Sequence, residues 1–162
     1  MRISPVSIIG DGEFASRLQE LLSKADSEVT ISDLSGDYTK QVADVDLVLE
    51  VANEDLALKK KVFKNCDAKC QKEAILATIT ANPWVTQLAG VTKRPEKVVG
   101  VNFTENPFEG KYLVQIIRGL QTSDDTIQTV KEFLEKVGVT AVKLEENPGF
   151  ILDRVIASIV TG

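Results

Sequence analysis

Gly10-Asp11-Gly12-Glu13-Phe14-Ala15 is the stretch best suited to chemistry. It follows an apolar run, Val6 to Ile9, and leads into Phe14, Leu18, Leu21 and Leu22 at helical spacing. A glycine turn between strand and helix suits a pyrophosphate. Gly10 permits the tight turn and Gly12 lets the backbone approach the phosphate, while free amides and the dipole at the helix start attract the anion. Asp33 lies 23 residues beyond Gly10, at the end of a second strand-like run. An acid there accepts hydrogen bonds from an adenosine ribose and repels the extra phosphate of NADP, so the set predicts NAD. The alternative for Asp33 is a strand-end cap within Ser32-Asp33-Leu34-Ser35.

Asp11 and Glu13 oppose that reading. Near a helix start they stabilise the helix, but toward a phosphate they are repulsive. At about 4 Å and an effective dielectric of about 20, one like-charged pair costs about 4 kcal/mol before side chains rotate away. A third of that weakens binding about tenfold. Weak or absent NAD binding is therefore the expectation.

The chain contains no histidine, which removes the usual general base, proton shuttle and metal ligand. Cys66 and Cys70, four apart on an expected helix, are too few for zinc, so no metal site is expected and both read as reduced thiols. A net charge of −5 argues against nucleic acid. No apolar run approaches the roughly 20 residues that cross a bilayer. Met1-Arg2-Ile3-Ser4-Pro5 enters the first strand almost at once, which predicts no signal peptide and a cytoplasmic protein.

These residues need a frame. Strands are expected at 3–9, 28–33, 45–51, 74–79, 97–103, 112–118 and 139–144, and helices at 14–24, 54–66, 84–89, 123–137 and 149–160. Alternation of this kind, with continuous Val/Ile/Leu strands, predicts a doubly wound α/β fold of Rossmann type, with a mostly parallel sheet and helices on both faces. The segment between Asp33 and Val45 holds only a turn and a short helix, so the unit after the second strand is shortened.

From Val45 onward the chain resembles the 3-hydroxyacyl-CoA dehydrogenases. Val48-Leu49-Glu50-Val51-Ala52-Asn53-Glu54-Asp55-Leu56-Ala57-Leu58-Lys59-Lys60-Lys61-Val62-Phe63 is similar to that family's VIEAVPEDLELKKxVF block. Ala74-Ile75-Leu76-Ala77-Thr78, Thr92-Lys93-Arg94-Pro95-Glu96-Lys97-Val98-Val99-Gly100, Asn106-Pro107, Arg118-Gly119-Leu120 and Pro148-Gly149-Phe150-Ile151 match further blocks in order and spacing. The resemblance implies NAD-dependent oxidation of a 3-hydroxyacyl-CoA to a 3-ketoacyl-CoA, in fatty acid metabolism. It implies a dinucleotide-binding domain over 1–147. Residues 148–162 would begin a helix leading, in the family, to a helical C-terminal domain absent here. The apolar stripe Val155, Ile156, Ile159 and Val160 would then be covered by that domain, by this one, or in a homo-oligomer.

The resemblance implies Gly10, Gly12, Asp33, Glu54, Lys59 and Asn106 as cofactor positions. Read without it, Glu54 and Lys59 are a solvent-facing first helical turn, and Asn106 belongs to an Asn-Pro turn. The family's base is a histidine held by a glutamate; those positions carry Asn102 and Gln115. The asparagine and serine lining the family's nicotinamide site are replaced in Ile79-Thr80-Ala81-Asn82, with Ala81 at the key position, and a later asparagine is Asp153. No catalytic residue is intact, and the family's chemistry is expected to be lost. Glu105 or Asp153 would replace the base only with a raised pKa. An acyl-CoA partner is weakened by the short 33–45 connection, and a nucleotide-sensing or protein-interaction module is the alternative.

Overall fold

Strands whose side chains are buried on both faces force helices onto both sides of a sheet. In the computed structural model, which describes residues 3–106 and 111–146, β1 (Val6–Ile9) and β3 (Leu47–Glu50) are buried at every position. They are joined by β2 (Val29–Ser32), β4 (Ile75–Ile79), β5 (Val98–Asn106), β6 (Lys111–Arg118) and β7 (Thr140–Glu145) in one sheet of order β2-β1-β3-β4-β5-β6-β7. All seven expected strands are found. β1 to β5 run parallel, β6 pairs antiparallel to β5, and β7 is parallel to β6. The antiparallel step follows from the β5–β6 connection, which is too short for a crossover.

α1 (Glu13–Leu22) and α4 (Asp124–Lys136) cover one face. There Leu18, Leu22, Ile127, Val130 and Phe133 pack on Ile8, Leu49 and Val99. α2 (Leu56–Lys69) and α3 (Val85–Ala89) cover the other, where Val62, Phe63, Val85 and Leu88 pack on Ile9, Val48 and Leu76. The shortened unit after β2 is a single 3-10 turn, Tyr38–Gln41. Tyr38 is buried beneath it, and its hydroxyl accepts a hydrogen bond from Asn65 Nδ2 at 2.8 Å.

Helix starts follow their caps. The expected helix over 54–66 begins at Leu56, because the Asp55 carboxylate accepts the Leu58 amide at 3.2 Å and fixes Asp55 as N-cap. Glu54 therefore precedes the helix rather than opening it. Cys66 lies within α2, but Cys70 is its C-cap. The helix expected over 149–160, Asp153 and the boundary at 147/148 lie outside the described residues. Among the described residues no helix is long and apolar enough to cross a membrane, and no cluster of metal ligands occurs.

Candidate functional site

The order β2-β1-β3 makes the chain reverse direction across the sheet at β1. Crevices above the carboxyl ends of strands at such a point are where α/β folds bind ligands. Gly10 leaves β1 there with φ 140°, its amide donating to Ser32 O at 2.8 Å. The Val51 amide donates to Ile9 O at 2.9 Å, so the β3 exit lies against Gly10. A Cβ on Gly10 would sit 2.4 Å from Val51 Cγ2. Gly12, φ 96°, is the N-cap of α1, and a Cβ there would meet nothing within 4 Å. The first glycine thus answers to packing, and the second borders open space.

Asp11 and Glu13 are exposed on either side of Gly12, so their charges stand in water at the helix start. Phe14, 41% exposed, meets Phe103 of β5 edge-on with ring centroids 6.1 Å apart. Asp33 is exposed just beyond β2, and its Oδ1 accepts the Ser35 amide at 3.0 Å. That is a strand-end cap, and it also leaves a carboxylate at the edge of the crevice.

Lys59 is not on a solvent-facing turn. Its side chain is wholly buried, as is that of Glu50, and the two form an ion pair at 2.8 Å. Lys59 Nζ also donates to Ala52 O at 3.0 Å and Ile79 O at 3.1 Å. Glu50 accepts the Ala52 amide at 2.6 Å and the Thr78 hydroxyl at 2.6 Å. The solvent-facing expectation fails because the β3–α2 loop is short. It brings Lys59, in the first turn of α2, over the end of β3, where its ammonium meets Glu50. Burial pushes the Glu50 carboxyl above its ordinary range, against the downward pull of Lys59, Thr78 and the Ala52 amide. Glu50 was not singled out from sequence, although a carboxylate inside Val48-Leu49-Glu50-Val51 signals a buried charge needing a partner.

Glu54 is exposed at the lip of the crevice. Its carboxylate accepts the Thr80 hydroxyl at 2.8 Å and the Asn82 side-chain amide, tying the β3 exit to the β4 exit. Ala81 lies exposed between them. Asn106 ends β5, and its side chain lies outside the described residues, as does that of Glu105.

Asn102 and Gln115 face each other across β5 and β6. Asn102 Nδ2 donates to Gln115 Oε1 at 3.3 Å, with Gln115 buried and Asn102 half-buried. Two amides can orient a polar group, but neither takes up a proton at neutral pH.

Comparison with known proteins places the fold in a family. Residues 34–147 match the family model described as 3-hydroxyacyl-CoA dehydrogenase, NAD binding domain. The chain is 37% identical over 141 residues to a 3-hydroxybutyryl-CoA dehydrogenase of Clostridioides difficile, covering 87% of this chain and 47% of that protein. It is 34% identical over 150 residues to a probable 3-hydroxybutyryl-CoA dehydrogenase of Bacillus subtilis, covering 93% and 50%. The crystal structure of 3-hydroxybutyryl-CoA dehydrogenase from Escherichia coli K12 superposes with a TM-score of 0.84 at 25% identity, over 96% of this chain and 41% of that one. The chain spans about half the length of these curated relatives. By sequence and by fold alike, it belongs to the 3-hydroxyacyl-CoA dehydrogenase family, within that family's NAD-binding domain.

Proposed function

We propose that this chain binds NAD at the β1–β3 crevice and does not itself carry out the family's hydride transfer. Support for binding comes from Gly10, Gly12, the amides opening α1, and Asp33 at the end of β2. The glycine turn would hold the pyrophosphate and Asp33 the adenosine ribose. Glu54, with Thr80 and Asn82, borders the neighbouring part of the crevice. When bound, NAD supplies the hydride acceptor. Asp11 and Glu13 act against its phosphates, which makes the binding weak.

The loss of chemistry is carried by one observation: the amide pair Asn102 and Gln115, 3.3 Å apart on facing strands. In the resemblance these positions hold the base and the carboxylate that orients it. Asn102 can hydrogen-bond an alcohol without removing its proton. Loss of a general base alone costs about 10²–10⁴ in rate. An acyl-CoA is the substrate class of the named relatives, and the single turn Tyr38–Gln41 offers little surface for it. A nucleotide-sensing or partner-binding role is the corresponding non-catalytic reading, favoured by the same amide pair.

The test is calorimetry of the purified chain with NAD, beside an assay of acetoacetyl-CoA with NADH. Weak NAD binding and no turnover are expected, and Asp11→Ala/Glu13→Thr should tighten NAD about tenfold. Turnover by the chain alone refutes the loss of chemistry. An unchanged affinity in the double variant refutes the charge repulsion.

A further inference from the structure

We propose that Glu50 and Lys59 are positioning residues, which hold the two loops of the cofactor crevice in place without touching the cofactor. This rests on the reading of the crevice as an NAD site. Lys59 was expected at the cofactor, yet an ammonium has three hydrogens. Here they are directed to Glu50 Oε2 at 2.8 Å, Ala52 O at 3.0 Å and Ile79 O at 3.1 Å. None is left for a ligand, and the side chain is fully enclosed.

What the pair holds is specific. The Ala52 residue is gripped at both ends, its amide by Glu50 Oε2 and its carbonyl by Lys59 Nζ. Ala52 lies in the loop leaving β3, one residue past Val51, which packs against Gly10. The same ammonium holds the carbonyl of Ile79, the last residue of β4, and the other carboxylate oxygen holds Thr78. One buried ion pair therefore fixes the exits of β3 and β4 relative to each other. Above it, Glu54 ties the same two exits together again through Thr80 and Asn82. The wall of the crevice opposite the glycine turn is thus anchored from below and latched at the lip.

An ion pair of this kind is not needed for folding as such, because apolar side chains of similar volume often substitute for a buried pair without loss of the fold. Its removal should instead loosen the loop. The experiment uses the whole chain with Glu50→Leu/Lys59→Met, which removes both charges together, and Glu50→Gln/Lys59→Met as the milder companion. Calorimetry reads NAD affinity, urea unfolding reads stability, and amide hydrogen exchange reads the loop without any ligand. The amides of Val51 and Asp55 flank Ala52 and bond to Ile9 O and Asn53 O, so neither loses its own acceptor in the variants.

The expected result is a folded variant with a lower urea midpoint, because the Ala52 amide and carbonyl, Ile79 O and the Thr78 hydroxyl lose their partners. NAD should bind at least tenfold more weakly, and Val51 and Asp55 should exchange at least tenfold faster, with Ile8 in mid-β1 unchanged. A folded variant with the parental NAD affinity overturns the proposal. If the parent itself binds no NAD, the binding reading fails separately and exchange decides: faster exchange upholds the positioning role, and unchanged exchange overturns it. Loss of fold in both double variants also overturns it, because the pair would then hold the core and not the loop.

Discussion

At the scale of single residues, Gly10 and Gly12 carry the same motif for different reasons. Both have positive φ, a conformation that costs a side-chain-bearing residue about 1–3 kcal/mol. Gly10 alone also has a neighbour in the way, Val51 Cγ2 at 2.4 Å from an added Cβ, and overpacking of that kind adds about 1–3 kcal/mol. Gly10→Ala is therefore expected to destabilise the chain by about 2 kcal/mol more than Gly12→Ala, measured by urea unfolding. Gly12→Ala should fall mainly on NAD affinity, since its Cβ would enter the open space at the start of α1. Equal losses of stability in the two variants would show that Val51 yields to the added methyl. The placement of Gly10 and Asp33 at the ends of β1 and β2 was legible because strand, turn, helix and strand follow one another in a fixed local order. The Glu50–Lys59 pair was not, because it depends on how the β3–α2 loop seats the first turn of a helix over a strand end. No residue type reveals that seating. Asn102 and Gln115 were legible as amides, but their contact required knowing that β6 runs back along β5.

At the scale of elements, β6 shows where pattern stops being informative. Its residues read as a strand whichever way it runs; its direction follows from the few residues that separate it from β5. α2 shows the same limit at both ends. Its start moved to Leu56 because Asp55 caps it, and its end is held by a residue far along the chain. Arg94 reaches the last turn of α2 from the loop before β5. Its Nε donates to Asp67 Oδ1 at 2.7 Å, and its Nη atoms reach Gln71 O at 2.5 Å, Asp67 O at 3.2 Å and Cys70 O at 3.5 Å. Both side chains of the pair are largely buried. The carbonyls at the end of a helix lack partners within it, and a guanidinium satisfies several of them at once. Removing one member of a buried pair costs about 3–5 kcal/mol. Arg94→Leu should therefore cost about 3 kcal/mol or more in urea unfolding. Arg94→Lys should restore less than half of that, because one ammonium cannot span Asp67 and the carbonyls together. A loss below about 1 kcal/mol for Arg94→Leu would mean that water caps α2 as well as Arg94 does.

At the scale of the whole molecule, two apolar layers clamp the sheet, and the layer under α2 contains both the ion pair and a thiol. Cys66 is buried there among Val62, Phe63 and Leu76. Burial, then the nearby charges of Cys70 and Glu50, push its thiol up from 9.0 to about 12. The folded protein thus holds this proton more tightly than the unfolded chain does. The resulting stability is fully present below pH 9 and is lost as pH rises from about 9 toward 12. One unit of pKa difference corresponds to about 1.4 kcal/mol, and the slope of stability with pH follows the difference in bound protons. Many groups titrate in that range, so the contribution of Cys66 is read as a difference. Cys66→Ala should lose some packing at pH 8, where the thiol is neutral in both states. Between pH 8 and pH 10 its stability should then fall by about 1 kcal/mol less than that of the parent, in urea unfolding at each pH. Native-state alkylation gives an independent check: at pH 8 Cys66 should react only at the rate of unfolding. Parallel pH profiles together with rapid modification of Cys66 would mean that solvent reaches this layer, and the burial that also isolates Glu50 and Lys59 would have to be abandoned with it.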